Sequence, residues 1–180
     1  MDSVIGNKSG KVLLTMFSQN TNLLLAFLRD HNTARSVLDV FNDLYAMFGR
    51  ETYCRLFPVI LTDRGSEFSN PVPIEQDEND ELRSLVFYCN PSVPYQKGGI
   101  EVAHELVRRV LPKGKSFDDL QQEDIDLMLS HINSYKRGKL NSRSAYQLFN
   151  FIYGDDILPK LNIREIEAND IVLSPKLLKK

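Results

Sequence analysis

Three acidic side chains stand where chemistry could be done. Asp2 heads the short apolar segment Ser3-Val4-Ile5, Asp63 follows the apolar run Phe57-Pro-Val-Ile-Leu-Thr62, and Glu101 falls in the first turn of a helix that starts after Gly98-Gly99. If the first strand lies beside the Asp63 strand, the two aspartates emerge close together, and the helix can bring Glu101 over them. Three carboxylates at one place repel each other and lose hydration, so they need a cation. Hard oxygen donors favour magnesium or manganese. Two such ions ~4 Å apart can activate a nucleophile and stabilise the leaving oxygen in phosphodiester displacement. Taken singly, each residue also has a plainer reading: a solvated terminal residue, a turn former before glycine, and a favourable first-turn charge.

The surrounding pattern supplies elements that could position them. Segments 3–5, 11–17 and 23–28 are short apolar runs parted by Gly/Asn/Lys/Ser and Ser/Gln/Asn/Thr clusters, the pattern of an antiparallel meander. Val37, Val40, Phe41, Leu44, Tyr45 and Phe48 then recur at helical spacing, with Asn32 or Thr33 as the N-cap and Gly49 as the stop. Two further strands are expected over 57–62 and 83–88, and helices over 99–110, 118–136 and 144–153. The acidic stretch 75–81 reads as a solvated loop. This order predicts an α/β fold, a mixed five-stranded sheet of three antiparallel strands and two parallel additions, flanked by helices.

Composition narrows the setting. The 180 residues fit one domain with a small C-terminal extension. No apolar run approaches the ~18 residues of a membrane span, and Met1-Asp2-Ser3 does not open a signal peptide. Cys54 and Cys89 have no metal-site spacing and suit a reducing cytoplasm. The net charge of −2 is unlike that of a stand-alone DNA-binding module, which is strongly basic. Any DNA affinity must come from a local basic stripe, a metal or another domain.

The flanks of two of the carboxylates resemble a known family. Ile60-Leu-Thr-Asp63-Arg-Gly-Ser-Glu67-Phe68 is similar to the T-D-x-G-x-E-F segment of retroviral-integrase-type transposases. The run from Tyr88 through Gln96, Lys97 and Gly98 to Glu101 resembles their Y-x-x-P-x-x-P-x-Q-x-G-x-x-E segment. Asp2-Ser-Val4-Ile-Gly6 fits a D-x-V-x-G opening strand, and His131 to Leu140 is loosely similar to an N-x-R-P-R-x-x-L stretch. With Arg109-Val-Leu-Pro-Lys-Gly114, the likeness is greatest to bacterial DDE transposases of the insertion-sequence-thirty family, and it runs from residue 2 to about residue 150. Val102 and His104 stand where that family often has asparagine.

The resemblance implies an RNase H-like integrase catalytic core over 1–153 and a C-terminal extension over 154–180, without the family's N-terminal helix-turn-helix region. The chain is therefore expected to be an excised core or fragment. Asp2, Asp63 and Glu101 would be catalytic and would bind two Mg2+ (or Mn2+) ions. Hydrolysis and strand transfer at mobile-element ends would follow, in a bacterial cytoplasm and on the nucleoid when acting. DNA, at element ends and target, and further copies of the chain are the expected partners. Lys97, Arg108, Arg109, Lys113 and Lys115 are candidate phosphate contacts, or simply a solvated face. Glu67, Gly98, Gly99, His104, Asn133 and Arg137 are candidate supporting residues. Two rivals remain: an RNase H-like nuclease that does not join strands, and an inactive transposon-derived DNA-binding or dimerising module.

Overall fold

Val-Leu-Leu-Thr-Met-Phe is apolar at all but one position, the pattern of a strand covered on both faces. In the computed structural model, which describes residues 1–7, 10–90, 96 and 98–178, this segment is β2 (Val12–Phe17), the middle strand of an antiparallel sheet with β1 (Asp2–Ile5) and β3 (Leu24–Arg29). The register sets Asp2 opposite Thr15 and Thr15 opposite Ala26. A second sheet pairs β4 (Val59–Thr62) with β5 (Leu85–Tyr88) in parallel.

The single five-stranded sheet expected from the sequence is thus two sheets, of three and two strands. They meet where the Met1 ammonium donates to the Leu61 carbonyl. Beyond this contact β1 and β4 share no ladder.

Helix α1 (Ala34–Leu56) begins with Thr33 as N-cap in a capping box with Ser36. It does not stop at Gly49. That residue takes φ 71° and kinks the helix, which then resumes and buries Tyr53. The kink was readable from the glycine, but the resumption depends on the apolar site awaiting Tyr53. A short helix α2 (Val72–Glu75) precedes β5. Arg83, expected to open that strand, is instead buried and donates to the carbonyls of Pro73 and Ile74 and to Asn42 Oδ1.

Helix α3 (Gly98–Val110) buries Ile100, Ala103, Leu106, Val107 and Val110. Val102 on the same helix is 48% exposed. Helix α4 (Gln122–Ser134) is shorter than the expected 118–136 and is fixed to β3 by Asn133, whose amide accepts from Leu24 N–H at 2.9 Å and donates to Leu24 C=O at 2.8 Å. Helices α5 (Ala145–Tyr153) and α6 (Ile157–Lys160) follow. The tail lies along α4, with Arg164 and Ile166 amides donating to Ser130 and Ser134 hydroxyls. The acidic stretch is not simply solvated: Asp77 accepts from Tyr45, Arg50 and the amides of Asn79 and Glu81.

Candidate active site

β1 and β4 deliver the two aspartates. Leu61 lies two residues before Asp63, and its carbonyl takes the Met1 ammonium one residue before Asp2. The two aspartates therefore follow closely on two segments joined by one backbone contact. Asp2 Oδ1 accepts from Ser3 N–H at 2.9 Å, and Asp63 Oδ1 accepts from Gly65 N–H at 3.0 Å, an Asx-type turn that steers the chain off the end of β4.

Glu67 joins them. A Cβ on Gly65 would lie 2.6 Å from Glu67 Oε2 and 3.2 Å from Asp63 Oδ1, so both carboxylates converge over this stretch of bare backbone. Glu67 is buried, and its Oε1 accepts from Asn32 Nδ2 at 3.1 Å. Arg29 backs the arrangement, donating from Nη2 to Asn32 Oδ1 at 2.9 Å and to Ser3 Oγ at 3.0 Å. Burial lowers the Arg29 pKa to about 10, partly offset by the Glu67 charge.

Helix α3 supplies the rest. Gly99 packs so closely on β2 that a Cβ would lie 2.5 Å from Phe17 Cε1; Gly98 meets nothing within 4 Å. One turn on, His104 Nε2 lies 2.8 Å from Thr15 Oγ1. The Thr15 hydroxyl spends its proton on the Asp2 carbonyl at 2.9 Å, so it accepts here and His104 carries its proton on Nε2. His104 Nδ1 then faces Asp2 Oδ2 at 4.0 Å. Glu101, three residues before His104, is on the neighbouring helical surface and solvent-exposed.

Among the described residues no group of three acidic, His or Cys side chains is close enough to hold an ion. The donors suit Mg2+ or Mn2+ in kind, being carboxylates on strand ends and on a helix first turn.

The basic candidates separate. Arg109, Lys113 and Lys115 are exposed. Arg108 turns inward, donates to the Ile5 carbonyl at 2.9 Å and has its pKa lowered by burial. Lys97 lies outside the described residues, as does 91–95 of the segment preceding Glu101. Asn133 braces β3 rather than α3, and Arg137 is buried at the turn after α4 with its pKa lowered by burial. Sequence reasoning passed over Arg29 and Thr15 and gave Asn32 only as a candidate N-cap; for Thr15, the one polar residue in β2 was the available signal. It also passed over Arg64, exposed beside Asp63 with its guanidinium 6.0 Å from the Tyr88 ring.

Comparison with solved structures defines the class. The chain resembles the catalytic core domain of BIV integrase (TM-score 0.53, 21% identity, 85% of this chain and 90% of that one). It also resembles a chain of the simian T-cell lymphotropic virus intasome in complex with PP2A regulatory subunit B56 gamma (TM-score 0.57, 17% identity, 92% of this chain and 57% of that one). The fold is RNase H-like α/β, that of a retroviral-integrase core.

No protein-family model matches the chain. Individual relatives do. A putative integrase of Spiroplasma virus SpV1-R8A2 B is 29% identical over 149 residues, 83% of this chain and 44% of the relative. The transposase of insertion sequence IS4351 from Bacteroides fragilis is 23% identical over 149 residues, 83% and 43%. The InsI transposase of IS30A from Escherichia coli K12 is 22% identical over 147 residues, 82% and 36%. The chain is a homologue of insertion-sequence transposases of the IS30 type and of this viral integrase, and it spans less than half their length. No described helix is long and apolar enough to cross a membrane.

Proposed function

We propose that the chain is the catalytic core of a DNA transposase, hydrolysing a phosphodiester at a mobile-element end and joining the freed 3′ hydroxyl to target DNA. The observation that carries this reading is the Met1–Leu61 junction, which sets Asp2 beside the Asp63 loop in an integrase-core fold. Asp2, Asp63 and Glu101 would hold two Mg2+ or Mn2+ ions, which supply nucleophile activation and stabilisation of the leaving oxygen. Asp2 and Asp63 provide the fixed carboxylates. Glu67, held by Asn32, keeps the Asp63 loop against β1, and the Thr15–His104 pair keeps α3 against Asp2. Arg109, Lys113 and Lys115, all exposed, offer charge to DNA phosphates. The strand-transfer reaction needs two DNA ends, which favours at least two copies of the chain acting together.

End-labelled duplex DNA distinguishes the activities. Joined products that depend on Mg2+ or Mn2+ and disappear in Asp63→Asn support transposition. Cleavage without joining identifies a nuclease, and neither product leaves a non-catalytic module.

A further inference from the structure

The chain after α6 runs along α4 as a strap. Three α4 residues spaced four apart, Asp126, Ser130 and Ser134, are buried and accept hydrogen bonds from it. Asp126 Oδ2 accepts from Asn162 Nδ2 at 3.3 Å, Ser130 Oγ from Arg164 N–H at 3.1 Å and Ser134 Oγ from Ile166 N–H at 2.9 Å. Four helical residues rise ~6 Å and two extended residues ~6.6 Å, so acceptors at every fourth place match donors at every second. Farther on, His131 Nδ1 accepts from Val172 N–H at 3.1 Å. Between these bonds residues 167–170 are exposed. Over residues 162–178 only Ile163 and Leu178 are buried. Leu178 lies in the turn Pro175–Leu178, which packs against both α3 and α4.

The two helices are held to the sheet differently. Gln122 and Asn133 tie α4 to the backbone of β3 at Ala26, Leu28 and Leu24. Helix α3 meets the sheet through the Gly99–Phe17 contact and through side-chain bonds from His104 to Thr15 and Arg108 to Ile5. We propose that the strap is a positioning element for α3: seated on the polar row of α4, it carries Leu178 onto α3 and holds the helix that bears Glu101. Hydrogen bonds rather than buried side chains secure its middle, so it leaves α4 without opening the core. The consequence for metal binding rests on Glu101 being a ligand; the bracing of α3 does not.

The test is the double variant Ser130→Ala/Ser134→Ala in the whole chain. Alanine favours helix, so α4 persists while two acceptors are lost. Amide hydrogen exchange is read at Arg164 and Ile166 in the strap, at Ala103 and Val107 in α3, and at Leu13 and Leu14 in β2. Mn2+ titration of the folded protein gives the metal affinity. The expected result is at least tenfold faster exchange in the strap, at least threefold faster exchange in α3, an unchanged β2 and a Mn2+ Kd at least threefold higher. Unchanged exchange in the strap or in α3 overturns the inference. Equal acceleration in β2 also overturns it, because the loss of stability is then general, and so does faster α3 exchange with an unchanged Mn2+ Kd. If neither protein binds Mn2+, the reading of Glu101 as a ligand fails, and the exchange rates alone decide the strap.

Discussion

Asn32 donates its side-chain amide to Glu67 Oε1 across 3.1 Å, and this bond ties the end of β3 to the loop that carries Asp63. Arg29 completes the tie by bonding Asn32 and Ser3 together, the latter next to Asp2. Asn32→Ala leaves a buried carboxylate and a buried guanidinium each short of a partner, which costs about 1–3 kcal/mol. Thermal unfolding measures that loss. Mn2+ titration of the folded variant should show weaker binding than in the parent chain, and unchanged binding would show that the tie does not hold the site.

Gly99 and Gly98 are neighbours with opposite tolerances. Alanine at 99 drives a methyl to 2.5 Å from the Phe17 ring, and overpacking of this kind costs about 1–3 kcal/mol. Alanine at 98 enters open space and gains up to ~1 kcal/mol of helix propensity. Chemical denaturation of the two variants should therefore move in opposite directions.

What the sequence made legible was local. The Asp63 turn and the Glu101 helix start are each written in a few consecutive residues, and the structure places both at element ends. Thr33 could be read as a cap because capping is a property of four residues. The parts that escaped depend on tertiary partners. Gly49 looked like a stop because nothing near it reveals the site that takes Tyr53. Asp77 looked solvated because Tyr45 and Arg50, which bind it, lie a helix away in sequence. Arg29 and Asn32 become meaningful only once β3 is set beside β2 and the Glu67 loop. The break between the two sheets is a matter of tertiary pairing, which no periodicity encodes.

Thr15 holds two groups with one hydroxyl, donating to the Asp2 carbonyl and accepting from His104. Thr15→Val keeps the shape and removes both bonds in a fully buried position, for a loss of about 1–3 kcal/mol. His104→Asn keeps a donor near Thr15 and should retain more stability than His104→Ala. Equal melting temperatures for the two His104 variants would show that the bond contributes nothing.

Asp77 carries a pH signature. The Tyr45 hydroxyl first, then the Asn79 and Glu81 amides and the Arg50 charge, hold its carboxyl below the usual value against desolvation. A depressed folded-state pKa contributes stability above the unfolded value and loses it as pH falls through the folded one. Asp77→Asn should therefore be less stable than the parent at pH 7, and the gap should close as pH falls below the ordinary carboxylate range. A gap that persists unchanged at pH 2 would show that the charge is not the cause.

The central claim is that Asp2, Asp63 and Glu101 form one metal site. A crystal of the chain with element-end DNA, soaked in millimolar MnCl2 and measured at the manganese edge, tests it most directly. Anomalous peaks between the Asp2 and Asp63 carboxylates, with Glu101 turned in to the second, are the expected result. An ordered fold with DNA bound and no anomalous density at these carboxylates would contradict it.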